Sequence, residues 1–270
     1  MDRLAVELGL EIVRIVPGYV STEVDIRASF DVDETLRRAR RIIEMYEAAG
    51  VPRRRVLVKV AGTWEGIQAA KVLETEGITC NITLLFGFAQ AVAAAQAKAR
   101  LVSPFPGRVW QFFKEKDGVD GYDPPAADPG VVAVRRMYEY YKKFGHEDTI
   151  CMPASWRPSR GFSDEAFALD EIRALAGVDR MTIPPALLEQ LKASTEPLER
   201  QLDAASAVGR CAEATPVVSA GLDALSEADF RFMLNADVCA TLKLAEGINA
   251  FVAETEKLEA AIRAKVLASS

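Results

Sequence analysis

Lys59 is the residue of this sequence whose surroundings most clearly suggest chemistry. It lies in the run Val56-Leu57-Val58-Lys59-Val60-Ala61, whose branched apolar residues are typical of a buried strand. Burial of a lysine disfavours its ammonium form, and the neutral amine is a nucleophile that adds to carbonyl carbons. The alternative is a lysine at a strand end whose ammonium group reaches solvent, which is the commoner case for one strand judged alone.

Three polar residues lie on neighbouring predicted strands. Glu23 ends the strand before Lys59, where a carboxylate could act as a general base through a water; alternatively, it caps the loop that follows. Asn81 and Thr83 are two positions apart on the next strand and therefore share a face. They could orient that water or a substrate hydroxyl, or their side chains could simply hydrogen-bond to the backbone.

Two arginines follow later strands in short turns that contain serine and proline. The two segments are Ser103-Pro104-Phe105-Pro106-Gly107-Arg108 and Ala154-Ser155-Trp156-Arg157. A guanidinium fork matches phosphate oxygens, so Arg108, Arg157 and Ser155 are candidate phosphate ligands. The alternative for each arginine is an exposed side chain near the start of a helix.

Strands and helices alternate along the chain, which predicts an α/β fold with a parallel sheet. The predicted strands are residues 19–24, 56–60, 79–84, 101–103, 149–152 and 180–183. Helices are predicted at residues 4–16, between Asp31 and Gly50, from Thr63 to near Gly77, at 131–144, at 165–176 and at about 225–266, with an irregular segment at 194–224.

A TIM (β/α)8-type barrel fits this pattern better than an open sheet. No glycine-rich nucleotide-binding loop follows any strand, and polar residues end several different strands, as in barrel active sites. Six strands are visible, whereas a closed barrel needs eight. We therefore expect one α/β-barrel domain over residues 1–270 that is incomplete, with six of the eight strands visible.

Composition excludes several classes of protein. Lys and Arg number 33 against 39 Asp and Glu, a net charge of −6 with a pI near 5.1, which argues against nucleic-acid binding. The four cysteines are far apart and there is one histidine, so we expect neither a metal site nor a serine or cysteine hydrolase. The cysteines are expected to be reduced thiols in the cytoplasm. The uncharged run at residues 77–97 contains Asn81 and Gln90 and is interpreted as a strand and a helix rather than a membrane span.

Nine segments in the same order resemble signatures of the transaldolase family. In chain order they are Ser21-Thr22-Glu23-Val24-Asp25, Val58-Lys59-Val60-Ala61-Gly62-Thr63-Trp64-Glu65-Gly66-Ile67, Cys80-Asn81-Ile82-Thr83-Leu84-Leu85-Phe86, the first arginine segment, Asp128-Pro129-Gly130-Val131, the second arginine segment, Asp179-Arg180-Met181-Thr182-Ile183, Leu244-Ala245-Glu246-Gly247-Ile248 and Glu256-Lys257-Leu258-Glu259. The resemblance implies a (β/α)8 barrel that transfers a dihydroxyacetone unit from sedoheptulose 7-phosphate to glyceraldehyde 3-phosphate, giving erythrose 4-phosphate and fructose 6-phosphate. The pathway is the pentose phosphate pathway, and neither metal nor organic cofactor is needed.

The resemblance also implies a role for each candidate residue. Lys59 is the Schiff-base lysine, Glu23 activates the water used in forming and hydrolysing the imine, and Thr83 positions that water. Asn81 and Ser103 hydrogen-bond the dihydroxyacetone hydroxyls, whereas Arg108, Ser155 and Arg157 hold the phosphate. Related fructose 6-phosphate aldolases carry tyrosine where this chain has Phe105, so the phenylalanine favours transfer over simple aldol cleavage.

The chain departs from the family pattern in two places. Family members usually have two further strands before the helix at Leu4; the first carries an acid/base aspartate, and the second an asparagine that contacts the donor. Because neither has a counterpart here, an impaired or non-catalytic sugar-phosphate-binding relic is the alternative function, with a class I aldolase as a third. The segment 158–170 is also longer than usual. The sequence is compatible with a monomer or a homodimer. It is also compatible with a location in the cytoplasm or in an organelle.

Overall fold

The computed structural model describes residues 1–161, 167–210 and 225–268. They form two compact units, one of Met1–Leu84 with Leu244–Ser270 and one of Leu85–Lys243. Helices alternate with parallel strands, which confirms the α/β class. The single-barrel organisation stays a prediction. In the described part of the chain, no helix is both long and apolar enough to cross a membrane.

The first unit contains three parallel strands in chain order. Strand β1 (Val20–Glu23) pairs with β2 (Val56–Ala61), and β2 pairs with β3 (Cys80–Leu85). Every residue of β3 is buried, and so is every residue of β2 except Lys59, as expected for parallel strands covered on both faces. The helices of this unit are α1 (Asp2–Ile15), α2 (Val32–Ala48) and α3 (Trp64–Thr75).

Helix boundaries in the first unit follow local signals in the sequence. Asp31 accepts a hydrogen bond from the Glu34 backbone N–H at 2.9 Å and caps α2, as predicted. Thr63 caps α3 in the same way, through the Gly66 N–H. Gly50, just after α2, has a φ of 82°, a left-handed conformation that glycine adopts without steric cost. The carboxyl ends of β1 and β2 lie within one residue of those predicted.

The second unit contains the other two strands and most of the remaining helices. Strand β4 (Leu101–Pro104) pairs in parallel with β5 (Ile150–Cys151). The helices are α4 (Phe88–Gln96), α5 (Pro106–Asp117), α6 (Pro129–Lys143), α7 (Asp170–Ala174), α8 (Pro185–Ala193), α9 (Ala204–Arg210) and α10 (Glu227–Ala236). A long final helix, α11 (Val238–Ala268), contributes residues to both units. Residues 77–97 thus form β3 and α4, as predicted.

Three predicted elements differ from the structure. Residues 180–183 are not a strand, although Arg180 and Thr182 donate backbone hydrogen bonds to Cys151 and Pro153 at 3.3 and 3.0 Å. Pro153 has no N–H to return a bond, which interrupts the ladder at that point. The helix predicted at 165–176 is shorter in the structure, where only residues 170–174 form a helix, α7. Residues 165 and 166 of the predicted helix lie outside the described residues. The segment predicted to be irregular contains α9, while its residues 211–224 lie outside the described part, as do 162–166 of the long loop.

Candidate active site

Glu23, the last residue of β1, forms an ion pair with Lys59, the fourth residue of β2. The two residues are register partners, and Lys59 Nζ lies 3.0 Å from Glu23 Oε2. Residues in register on adjacent strands point to the same side of a sheet, so the strand pairing itself brings the amine to the carboxylate. Asp25, and not Glu23, caps the turn that follows, by accepting a hydrogen bond from the Arg27 N–H.

The surroundings of Lys59 are less apolar than the sequence predicts. Its side chain is 22% exposed and that of Glu23 is 27% exposed, so the pair is half-buried. The ring of Phe251, from α11, lies 5.4 Å from Lys59 Nζ and presents its face to the ammonium group. A carboxylate and an aromatic face, rather than a fully hydrocarbon environment, therefore surround the amine.

Asn81 and Thr83 are placed on β3 beside this pair. Asn81 is the register partner of Lys59, and its Nδ2 donates a hydrogen bond to Ser21 Oγ at 3.1 Å. Thr83 follows two residues later on the same face, and its side chain is fully buried. Among the described residues, neither Thr83 Oγ1 nor Glu23 Oε1 has a hydrogen-bond partner. Two such atoms are suited to binding a water or a substrate hydroxyl, because a buried polar atom without a partner is costly.

Ser103 and Phe105 occupy the carboxyl end of β4 in the second unit. Ser103 is buried on the strand, and the Phe105 N–H donates to the Leu85 carbonyl at 3.0 Å. The Phe105 ring packs edge-to-face against Phe86, with ring centres 5.7 Å apart. Phe105 is thus held by backbone and ring contacts in a buried position directly before α5.

Arg108 and Ser155 meet in the same unit, whereas Arg157 extends outward. The Arg108 Nε donates to Ser155 Oγ at 3.3 Å, and its guanidinium carbon lies 5.0 Å from the centre of the Phe105 ring. Ser155 has a φ of 57°, an uncommon conformation for a residue with a side chain. Arg157 is exposed. This arrangement places a guanidinium beside a hydroxyl, a combination that suits an anion, and phosphate binding by the two arginine segments stays a prediction.

The sequence analysis missed two residues of this site: Ser21, which bonds to Asn81, and Phe251, which packs against Lys59. Ser21 has a usable signal, since it lies two residues before Glu23 on the same strand and therefore faces the same side. Phe251 lies far away in the sequence on a long helix, and no local pattern connects it to Lys59. In the residues that the structure describes, no group of three or more His, Cys, Asp or Glu side chains is arranged to hold a metal ion.

Comparison with known proteins points to a single family. The sequence model of the transaldolase/fructose-6-phosphate aldolase family matches residues 1–262. A transaldolase of Saccharomyces cerevisiae is 50% identical over 269 residues, which cover 99% of this chain and 75% of the yeast protein. Transaldolase 1 of Pectobacterium atrosepticum is 48% identical over 98% of this chain and 77% of its own, and a transaldolase of Schizosaccharomyces pombe is 48% identical over 98% and 76%. With matches of this extent, the chain belongs to the transaldolase/fructose-6-phosphate aldolase family.

Proposed function

We propose that this chain is a transaldolase that moves a dihydroxyacetone unit from sedoheptulose 7-phosphate to glyceraldehyde 3-phosphate. The observation that carries the proposal is the pairing of Lys59 with Glu23 in strand register at 3.0 Å. An amine that must become a nucleophile needs a base within hydrogen-bond reach, and Glu23 meets that requirement. The family and the names of the relatives support the same reaction.

The reaction starts with loss of a proton from the Lys59 ammonium. Glu23 accepts this proton, and the free amine adds to the ketone carbon of the donor sugar phosphate. The resulting carbinolamine loses water to give a protonated imine, with Glu23 and Thr83 handling the water through the two oxygens that have no other described partner. The nearby Phe251 ring favours a cation at this nitrogen, so it stabilises both the ammonium and the protonated imine.

The protonated imine is the electron sink for carbon–carbon cleavage. The C3–C4 bond breaks and its electron pair moves into the imine to form an enamine. The C4 hydroxyl passes its proton through water to the Glu23 carboxylate, and an aldose phosphate leaves. The enamine then adds to the aldehyde carbon of the acceptor, and water releases the new ketose phosphate from Lys59. We assign hydrogen bonding of the three-carbon unit to Asn81 and Ser103, and phosphate binding to Arg108, Ser155 and Arg157.

The alternative function is an impaired sugar-phosphate-binding relic. It depends on the departure of the sequence from the family's first strand, and the comparisons give it no support, because the relatives at this identity are named transaldolases. The Glu23–Lys59 pair also favours turnover, since binding alone does not require a base against the lysine.

Borohydride trapping with fructose 6-phosphate tests the proposal. Reduction fixes the imine, and mass spectrometry identifies the modified peptide. Lys142 is an internal control, because it also forms an ion pair, at 2.8 Å with Asp179. We expect a three-carbon adduct on Lys59 and none on Lys142. An adduct of the whole sugar means imine formation without cleavage, as the relic requires, and a folded chain without any adduct contradicts the Schiff-base assignment.

The compartment and the oligomeric state belong to the same proposal. We assign the protein to the cytoplasm, supported by the buried thiols of Cys80, Cys151 and Cys239, none of which forms a disulfide among the described residues. Cys211 lies outside the described residues. We retain the homodimer as an expectation, and light scattering over a range of micromolar concentrations distinguishes it from a monomer.

A further inference from the structure

Asp128 is a buried carboxylate at the amino-terminal end of α6. Only 2% of its surface is exposed, and its Oδ1 accepts hydrogen bonds from the Gly130 and Val131 backbone N–H groups at 2.7 and 3.1 Å. Two of the otherwise unpaired donors of the helix are thereby satisfied. The Asp128 side chain thus caps the first turn of α6.

The first turn of α6 is in direct backbone contact with the start of α5. A Cβ atom added to Gly130 would overlap the Pro106 carbonyl oxygen and lie 2.7 Å from the Pro106 carbonyl carbon and Cα. Real Cβ atoms essentially never come so close to a backbone, so only glycine allows this approach. If the start of α6 is displaced, the turn that begins α5 must therefore move with it or lose its contact with Gly130.

The start of α5 is packed in turn against the segment that carries Ser155 and Arg157. A Cβ atom on Gly107 would overlap the Arg157 backbone nitrogen and lie 2.5 Å from the Ser155 carbonyl oxygen. Arg108 follows Gly107 directly and bonds to Ser155. A small cavity of about 10 Å³ borders this packing and is lined by Pro106, Gly107, Asp128, Arg157 and Glu171 among others.

We propose that Asp128 is a positioning residue for phosphate recognition. By capping α6, it holds Gly130 against Pro106 and, through Gly107, sets the placement of Arg108, Ser155 and Arg157. This inference deepens the proposed function and rests on its assignment of those three residues to the phosphate group. Asp128 itself is assigned no contact with substrate.

Calorimetric binding of fructose 6-phosphate and of unphosphorylated fructose tests this inference without requiring turnover. For Asp128→Ala we expect binding of the phosphorylated sugar to weaken about tenfold, and the trapping rate with saturating dihydroxyacetone to stay within about twofold of wild type. Asp128→Asn retains a capping oxygen and should restore most of the affinity. Gly130→Ala retains the cap but separates the helix from Pro106, so it should weaken binding of the phosphorylated sugar as Asp128→Ala does.

Two control variants separate positioning from a general loss of stability. Asp31→Ala removes a comparable cap from α2, which carries none of the assigned phosphate ligands, and Gly18→Ala adds a Cβ where nothing lies within 4 Å. Unchanged affinity for fructose 6-phosphate in Asp128→Ala, or an equal loss in Asp31→Ala, overturns the inference. If wild type binds the sugar phosphate but forms no adduct at Lys59, the proposed function fails, while the binding series still decides the role of Asp128.

Discussion

The side chain of Asn81 on β3 reaches past β2 to donate a hydrogen bond to Ser21 on β1, with a distance of 3.1 Å between Asn81 Nδ2 and Ser21 Oγ. Asn81 is the register partner of Lys59, so the bond fixes an amide directly beside the lysine. The bond also holds the Asn81 side chain in one orientation, with Nδ2 toward Ser21.

Substitution of Ser21 by alanine should therefore weaken donor binding without abolishing catalysis. A hydrogen bond of this kind contributes about 0.5–1.5 kcal/mol, which corresponds to a rise in KM for the donor of about two- to thirteenfold. Steady-state kinetics with fructose 6-phosphate measure the change, with the exposed Ser206→Ala as a control. If KM stays at the wild-type value, the Ser21 hydroxyl does not orient Asn81.

Glu23→Gln should slow imine formation at Lys59. The amide keeps the size of the side chain but is a far weaker proton acceptor, so we expect the trapping rate to fall by about a hundredfold or more. Rapid-quench borohydride trapping at saturating fructose 6-phosphate measures this rate. Glu76→Gln is the control, because it removes an ion pair of 2.6 Å with Arg40. A wild-type trapping rate in Glu23→Gln would mean that another group deprotonates the lysine.

Phe105→Tyr should divert part of the reaction from transfer to release of free dihydroxyacetone. The added phenol is a proton donor that can protonate the enamine carbon, directly or through a water, before an acceptor arrives. The ratio of free dihydroxyacetone to transferred product, measured with and without acceptor, reports the change. Phe86→Tyr places the same hydroxyl on the ring packed against Phe105 and serves as the matched control. An unchanged product ratio contradicts a role for Phe105 in the choice of reaction.

The stability of the chain should depend on pH through Asp128. Burial, with a smaller contribution from Glu171, raises the pKa of Asp128 from 3.8 to about 6, although its hydrogen bonds from Val131 and Gly130 oppose the rise. A carboxyl group with a raised pKa in the folded state contributes its full stability below about pH 4 and loses it as the pH rises to about 6. The difference between the two pKa values corresponds to about 3 kcal/mol.

Urea unfolding between pH 4 and pH 8 measures this contribution. We expect wild type to lose stability relative to Asp128→Asn as the pH rises through this range, because the amide has no charge to bury. Asp31→Asn alters an exposed cap and should follow the wild-type profile. Parallel profiles for wild type and Asp128→Asn would show that ionisation of Asp128 does not lower the free energy of unfolding.

Much of the candidate site follows from the sequence, because strand geometry has a short and regular period. The apolar run around Lys59 predicts β2, and the sequence also places Glu23 at the end of β1. Once β1 and β2 are parallel and adjacent, their register alone brings Glu23 next to Lys59. Helix caps such as Asp31 and Thr63 are equally local, and for that reason α2 and α3 begin where their sequences predict.

The tertiary structure decided the contacts between residues that no local pattern connects. The sequence could not predict the ring of Phe251 over Lys59, nor the bond from Asn81 to Ser21, because both depend on how distant elements pack. The absence of a strand at residues 180–183 is a related case, since pairing depends on a donor that Pro153 in the neighbouring segment lacks. The sequence by itself predicted the residues to which we assign the chemistry. Packing determined what holds them in place, because the contacts of Gly130 with Pro106, and of Gly107 with the segment of Ser155 and Arg157, exist only where three backbones meet.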